Sequence, residues 1–323
     1  MKSKPARLAL KRLPLARLHT VSLRSRPSRV GRRHFAVAPR AAASFRTFWE
    51  ALPRLQGAAD LRACVAAVGQ ARSRGRPCLL MLGGHVVKCG LTPVIVALMR
   101  KGVFTHLALN GAAAIHDFEL ALAGKTSEDV GARLGDGSFG MTRETGTLMN
   151  RAVACAEAGR GLGEIWGKLV DAPGFPYRAD SLLAEAHRLG IPLTAHVAIG
   201  TDVIHPFPDA DGASWGRAAF ADFHRMIAAV SGLEGGVVLN WGSAVLLPEV
   251  FLKALSTARN LGRRVRRFTA VNFDQIYHYR PRVNLVERPT REGGRGLNLV
   301  GQHEILIPLF AWALAEELGK RTF

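Results

Sequence analysis

The chain has 323 residues, 48% of them apolar and 21% charged. That is enough chain to bury the core of one large α/β domain, and the composition excludes a disordered, collagen-like or coiled-coil protein. The net charge of +19 is uneven: residues 1–49 hold 13 Lys and Arg and no acid, whereas the remaining 274 carry 31 basic and 25 acidic side chains. Residues 1–45 are therefore read as a basic, disordered N-terminal arm, with an organelle transit peptide or a polyanion-binding arm as the alternatives. No aromatic side chain stands among the basic residues of the arm before Phe35, which weighs against nucleic-acid binding by the arm, and nucleic acid is not an expected partner of the rest of the chain. The apolar runs are broken well short of a bilayer span, so no membrane segment is expected. Cys64, Cys78, Cys89 and Cys155 form no CxxC pair and read as reduced thiols of a cytoplasmic protein.

Residues 46–323 alternate helical and extended patterns. Ala58–Arg74 has apolar residues at helical spacing, and Pro77–Leu82 is a short apolar run of the kind that forms a buried strand. GGHVVKCG (Gly83–Gly90) follows as a loop, then a helix over Thr92–Lys101 with Pro93 in its first turn, a strand over Val103–Leu109 and the loop NGAAAIHD (Asn110–Asp117). The rhythm returns three times. Helix Ser181–Leu189 leads to strand Leu193–Ala198 and the loop GTDVIHP; helix Ala218–Val230 leads to strand Gly236–Leu239 and NWGS; helix Pro248–Asn260 leads to strand Arg267–Val271 and NFDQIYHYRPR. Leu306–Leu318 is a closing helix, and 124–170 and 287–298 are Gly-rich excursions that read as lids or subunit contacts. This pattern predicts a three-layer, Rossmann-like α/β fold with a mostly parallel central sheet and helices on both faces. In such a sheet the loops after the strands gather at one edge, where ligands bind. Segments 83–90, 110–117, 196–205, 240–243 and 272–282 should therefore meet at one crevice.

The polar residues fall in those segments. Gly83, Gly84 and His85 follow the first strand, and paired glycines let backbone approach a ligand closely. Lys88 lies between apolar neighbours; either its amine is desolvated and nucleophilic, or it reaches solvent along its aliphatic stem. Asn110, Gly111, His116 and Asp117 follow the second strand, and Thr201, Asp202 and His205 the third. Adjacent His and Asp suit proton transfer, because a carboxylate fixes an imidazole tautomer; helix capping is the structural alternative for Asp117. Ser138 in DGSFG either lines a ribose or phosphate or belongs to a turn. Asn240, Gly242 and Ser243, then Asn272 and Asp274, complete the set. Gly161–Gly163 has part of the spelling of GxGxxG but follows no strand, and GKT at Gly124–Thr126 lacks the upstream P-loop glycine. GxSxG and HExxH are absent.

The stretch Gly83–Asn110 resembles the segment of deoxyhypusine synthases in which glycines precede a lysine, a helix and a strand. It is also similar to the NAD-binding region of ornithine cyclodeaminase-type proteins, whose asparagine-to-His-Asp turn is matched by Asn110, Ala113, His116 and Asp117. These resemblances imply a Rossmann-like fold, an NAD cofactor and a homo-oligomer. They place Lys88 where the synthases carry the lysine that forms an imine with an aminobutyl group. His85 stands in place of a third glycine, and Cys89–Gly90 in place of two histidines. The implied activity is NAD-dependent chemistry on an amine or amino acid, by aminoalkyl transfer or by deamination through an imine. Catalytic roles fall to Lys88, His116, Asp117 and His205, and Asp117, Glu119 or Asp202 would hold an ammonium group. The alternatives are a metal-dependent hydrolase or lyase built from the loop His and Asp residues, and a non-catalytic nucleotide-binding protein.

Overall fold

Cys78–Leu82 is five apolar residues in a row, and a strand of that kind is stable only when both its faces are covered. In the computed structural model, which describes residues 13–319, it is an interior strand of a six-stranded sheet. The strands are β1 (Cys78–Leu82), β2 (His106–Asn110), β3 (Leu193–His196), β4 (Val237–Trp241), β5 (Thr269–Asp274) and β6 (Arg295–Val300). They are ordered β3-β2-β1-β4-β5-β6, and every pairing is parallel. The helices are α1 (Phe45–Ala51), α2 (Gln56–Ser73), α3 (Gly84–Lys88), α4 (Thr92–Arg100), α5 (Gly111–Ala123), α6 (Val130–Leu134), α7 (Arg143–Ala154), α8 (Leu162–Val170), α9 (Leu182–Leu189), α10 (Gly212–Ser231), α11 (Leu246–Asn260) and α12 (His303–Gly319). A π-helical turn, Pro281–Glu287, stands between β5 and β6.

Alternate residues of each strand enter opposite layers, as the two-residue period of a strand requires. Leu79, Met81, Ala108, Val238 and Ala270 pack with Met226 and Val230 of α10 and Phe251 and Leu255 of α11. Leu80, Leu82, Leu107, Leu239, Trp241 and Phe273 face the other way, among residues of α2, α4, α5 and α12. The fold is a three-layer α/β sandwich, and its sheet is parallel throughout. The chain runs outward through β1, β2 and β3 and then returns to place β4 against the free side of β1. In sheets of this kind the ligand crevice lies at such a reversal, here at the carboxyl ends of β1 and β4. No helix among the described residues is long and apolar enough to cross a membrane.

Several expected boundaries move. Two of the expected loops are mostly helix: α3 starts one residue after Gly83, and α5 starts directly at Gly111. Asn240 and Asn272–Asp274 lie within strands rather than after them. The excursion 287–298 contains most of an edge strand, β6, and 124–170 contains α6, α7 and α8. Residues 1–12 of the basic arm lie outside the described residues; from 13 to 44 the chain is mostly exposed coil with short 3-10 turns at Leu15–Arg17 and Arg32–His34. It joins the body where Arg54 N donates to His34 O (3.0 Å) and Val37 N to Ala51 O (2.9 Å).

Candidate functional site

The crevice is built on a contact that tolerates no side chain. Gly83 N donates to Trp241 O at 2.9 Å, carrying the β1–β4 ladder one residue past the strand. A Cβ added to Gly83 would stand 2.1 Å from Gly242 O, inside the radius of any real contact. Gly242 itself has φ +69°, a left-handed conformation in which glycine is unstrained, and its N–H donates to Phe273 O at 3.0 Å. The turns after β1 and β4 are thus pressed together. A similar contact joins the next pair: a Cβ on Gly111 would lie 2.1 Å from Asp202 Oδ2. So the segments after β1, β2, β3 and β4 do meet at one edge.

Three asparagines cross β4, β5 and β6 at one register position, Asn240↔Asn272↔Asn298. Asn240 Nδ2 donates to Ser243 O (2.9 Å) and to Asn272 Oδ1 (2.7 Å), and Asn272 Nδ2 donates to Asn298 Oδ1 (2.8 Å). The Ser243 carbonyl accepts only, so it fixes which end of each amide faces which neighbour. The ladder leaves an acceptor at one end and a donor at the other. Asn240 Oδ1 and Asn298 Nδ2 are buried without a hydrogen-bond partner among the described residues, as is Asp274 Oδ2. Unpaired buried polar atoms are rare in folded proteins and ask for a ligand or ordered water. Asp274 Oδ1 accepts from Gln275 N at 2.8 Å, and His278 Nε2 lies 3.8 Å from Oδ2.

His85 is exposed at the rim. Its Nδ1 lies 3.1 Å from Nδ1 of the buried His303, whose Nε2 donates to Phe273 O at 3.3 Å. Gln275 Nε2 approaches His85 Nε2 at 3.0 Å, and Cys89 Sγ lies 3.3 Å from His85 Nδ1. Burial pushes the Cys89 thiol up, with Glu304 adding to the effect, so this thiol is not activated. Lys88 is exposed at the end of α3, so the solvated alternative holds for its resting state. It is close enough to contribute to lowering the His116 pKa, which burial lowers most.

His116 and Asp117 are neighbours on a helix, and successive helical side chains point about 100° apart. They do not pair. His116 Nδ1 bonds Thr126 Oγ1 at 2.7 Å. Asp117, 1% exposed, accepts from Leu182 N (2.8 Å), Leu183 N (3.0 Å) and Ser181 Oγ (2.6 Å). Its carboxylate caps α9, the structural alternative for this residue, and burial raises its pKa to about 6. Asn110 is likewise a cap, accepting from Ala113 N at 2.9 Å, and Ser243 Oγ accepts from Leu247 N at 3.2 Å at the start of α11.

His205 Nδ1 accepts from Gly200 N (3.1 Å) and Asp202 N (3.2 Å), so the proton sits on Nε2, which is buried and unpartnered among the described residues. The His205 ring packs edge-on against Trp215, with ring centroids 4.8 Å apart. Asp202 is half-buried against Gly111, and desolvation raises its pKa to about 6. Thr201 Oγ1 is turned to Ala198 O at 2.7 Å. Ser138 bonds Asp136 through both Oγ (2.6 Å) and N (2.9 Å), which makes it a turn residue. Gly140, two residues on, packs against Val203, so this excursion lies on the β3 loop without bringing Ser138 to the asparagine ladder. The Gly161–Gly163 spelling belongs to packing: a Cβ on Gly163 would lie 2.1 Å from Leu193 O.

His303, Asn298 and Gln275 were not among the expected site residues. The first two follow or belong to β6, and without that strand nothing in the sequence assigned them to the edge. No group of three or more His, Cys, Asp or Glu among the described residues is placed to hold a metal ion. The metal-hydrolase set is dispersed: Asp117 caps α9, and His196 Nε2 is buried 3.0 Å from Thr194 Oγ1. Two cavities of about 240 and 580 Å3 lie elsewhere, beside Gly124 and Tyr177 and among Arg259, Arg263, Arg264 and Arg266.

The fold and the crevice together define a Rossmann-type α/β protein. No family model matches the chain, and no curated protein matches it by sequence. Solved structures do. A conserved LOR/SDH protein from Methanococcus maripaludis S2 superposes with a TM-score of 0.52 at 14% identity, over 83% of this chain and 71% of that one. AgrE, solved as a ternary complex with ornithine and NAD+, superposes with a TM-score of 0.50 at 17% identity, over 84% of this chain and 35% of that one. A protein described as a deoxyhypusine synthase from Entamoeba histolytica is a further structural neighbour, with a TM-score of 0.48 at 9% identity, over 84% of this chain and 93% of that one. This chain spans about a third of the length of AgrE.

Proposed function

We propose that this chain is a nicotinamide-dinucleotide-dependent enzyme that acts on an amine or amino acid, by deamination through an imine or by aminoalkyl transfer of the deoxyhypusine synthase-like kind. The observation that carries the reading is the polar end of the sheet beside the β1–β4 crevice. There a glycine-tight turn stands next to an amide ladder with two unpartnered ends and an unpartnered carboxylate oxygen. Two acceptors, Asn240 Oδ1 and Asp274 Oδ2, and one donor, Asn298 Nδ2, fit the hydroxyl and amide groups of a dinucleotide better than they fit bare phosphate, which would need donors alone. Asn240, Asn272, Asn298, Asp274, Gly83, Gly84, Gly242 and Ser243 would hold it. When bound, NAD supplies a hydride acceptor that no side chain can replace.

The chain's own residues do the rest. The carboxylate of Asp202 holds an ammonium substrate at the β2–β3 side of the crevice. His116 moves protons. Lys88, on the exposed end of α3 and near enough to His116 to affect its pKa, is the amine that would carry an imine-linked fragment. A homo-oligomer belongs to this reading: Ile276, Tyr277 and Tyr279, each about 60% exposed in the segment after β5, give a second copy an apolar surface to cover.

The test is calorimetric titration of the full chain with NAD+. One equivalent per chain is expected, with affinity falling at least about tenfold, or 1.4 kcal/mol, in Asn298→Ala. Absence of binding at millimolar NAD+ overturns the reading. NAD+ reduction would then be followed over diamines, polyamines and basic amino acids. Light scattering checks the oligomer.

A further inference from the structure

Glu119 is one turn along α5 from His116, and Thr126 lies just past the end of that helix. Thr126 belongs to the GKT segment that lacks a P-loop glycine. His116 Nδ1 is 2.7 Å from Thr126 Oγ1, Thr126 Oγ1 is hydrogen-bonded to Glu119 Oε2, and Thr145 Oγ1 donates to Glu119 Oε1 at 3.0 Å. The proton count along this chain has one solution. An ionised carboxylate only accepts, and a hydroxyl has one proton to give. Thr126 spends that proton on Glu119 and keeps only lone pairs for the ring. The nitrogen facing Thr126 must then bear hydrogen, and in a neutral imidazole the other nitrogen is an acceptor.

We propose that Glu119 and Thr126 are positioning residues that fix His116 as the Nδ1–H tautomer and leave Nε2 as the proton acceptor of the crevice. The ring's Cδ2 edge, which adjoins Nε2, faces the glycine turn: Cδ2 would lie 3.2 Å from a Cβ on Gly84. Nε2 makes no hydrogen bond among the described residues, yet it is not one of their sealed, unpartnered atoms. The charged groups around the ring are Glu119 on its own helix and Lys88 on α3. Burial favours the neutral ring, the form that accepts a proton.

The inference rests on the proposed amine oxidation for its use. In that reaction the carbon bearing the amine loses a hydride to a nicotinamide acceptor, and the amine nitrogen loses a proton. The electron pair left on nitrogen closes the carbon–nitrogen double bond of the imine. Nε2 takes the proton. Oriented general bases contribute about 100- to 10,000-fold in rate, and a wrong tautomer forfeits that contribution.

The experiment reads the tautomer directly. The full chain is labelled with 15N in its histidine rings, His116 is assigned by the signal missing in His116→Gln, and long-range 15N–1H correlation is recorded near neutral pH. A protonated Nδ1 and a bare Nε2 are expected in the wild type. Thr126→Val should shift the ring to the other tautomer or to a mixture, and Thr126→Ser should restore it. A wild-type ring protonated at Nε2 overturns the proposal, as does a ring unchanged by Thr126→Val. If Thr126→Val does not fold, Glu119→Gln and the wild-type spectrum still decide. NAD+ titration of the same samples separates the two ideas: the expected tautomer without NAD+ binding sinks the cofactor reading alone, and binding with the other tautomer sinks the relay alone. In a working assay, Thr126→Val lowers kcat at least about tenfold with KM little changed and alters the acidic limb of the pH profile, and serine rescues both.

Discussion

Replacing Asp117 distinguishes a helix cap from a catalytic acid. Its carboxylate takes the first two free N–H groups of α9 and the hydroxyl of Ser181, which in turn accepts from Ala184 N at 3.1 Å. Asp117→Ala strands two backbone donors and one hydroxyl in a fully buried place. Each unsatisfied buried donor costs about 1–3 kcal/mol, and losing a cap alone costs about 1 kcal/mol. Some of that is returned because the ionised carboxylate no longer has to be buried. A net loss of about 2–4 kcal/mol in urea unfolding at pH 7 is expected, a fall of roughly 3–7 °C in Tm for a body of this size. Asp117→Asn keeps one acceptor oxygen but turns an amide N–H2 toward the remaining donors, so a smaller loss of about 1–3 kcal/mol is expected. The pH response supplies a second signature. A folded pKa of about 6 against the ordinary value of 3.8 means the folded chain binds this proton more tightly, so stability falls as pH rises through the folded value. Between pH 7 and 5 the group should return about 1 kcal/mol to the wild type, and this part is absent in Asp117→Asn. Two results would refute the reasoning: Asp117→Ala unfolding within about 1 kcal/mol of wild type, or Asp117→Asn losing turnover with stability intact.

Other outcomes follow from the same contacts. Gly83→Ala forces a methyl group against Gly242 O at 2.1 Å, and the resulting shift of the β1 and β4 turns should abolish NAD+ binding even where circular dichroism shows a folded chain. Asp202→Asn removes a half-buried carboxylate whose folded pKa is about 6. Unfolding at pH 7.5 should show a gain of about 1–2 kcal/mol that vanishes toward pH 4, while affinity for an amine substrate falls. Borohydride treatment during turnover should attach a substrate fragment to Lys88 as seen by peptide mass spectrometry, and an unmodified Lys88 in an active sample refutes the covalent step.

The alternation of apolar runs with helical periodicity was legible along the chain, because a strand covered on both faces must be apolar throughout and a helix covered on one face must repeat every three to four residues. From this came the three-layer architecture, five of the six strands and the meeting of their loops at one edge. β6 was not legible. Arg295–Val300 is an edge strand with an exposed start and Gly-rich approach, so it carries no continuous apolar run. Asn298 and His303 were lost with it, since only strand register sets Asn298 beside Asn272 and only the turn after β6 sets His303 behind His85. Tertiary structure also decided what neighbouring polar residues do. Sequence adjacency suggested a His116–Asp117 pair, but the helix sends the two side chains to different partners, one to the mouth of the crevice and one to the start of α9. Periodicity records which face of an element is buried. It does not record which distant hydroxyl, carbonyl or amide a buried polar atom will find, because those bonds form only when separate elements dock.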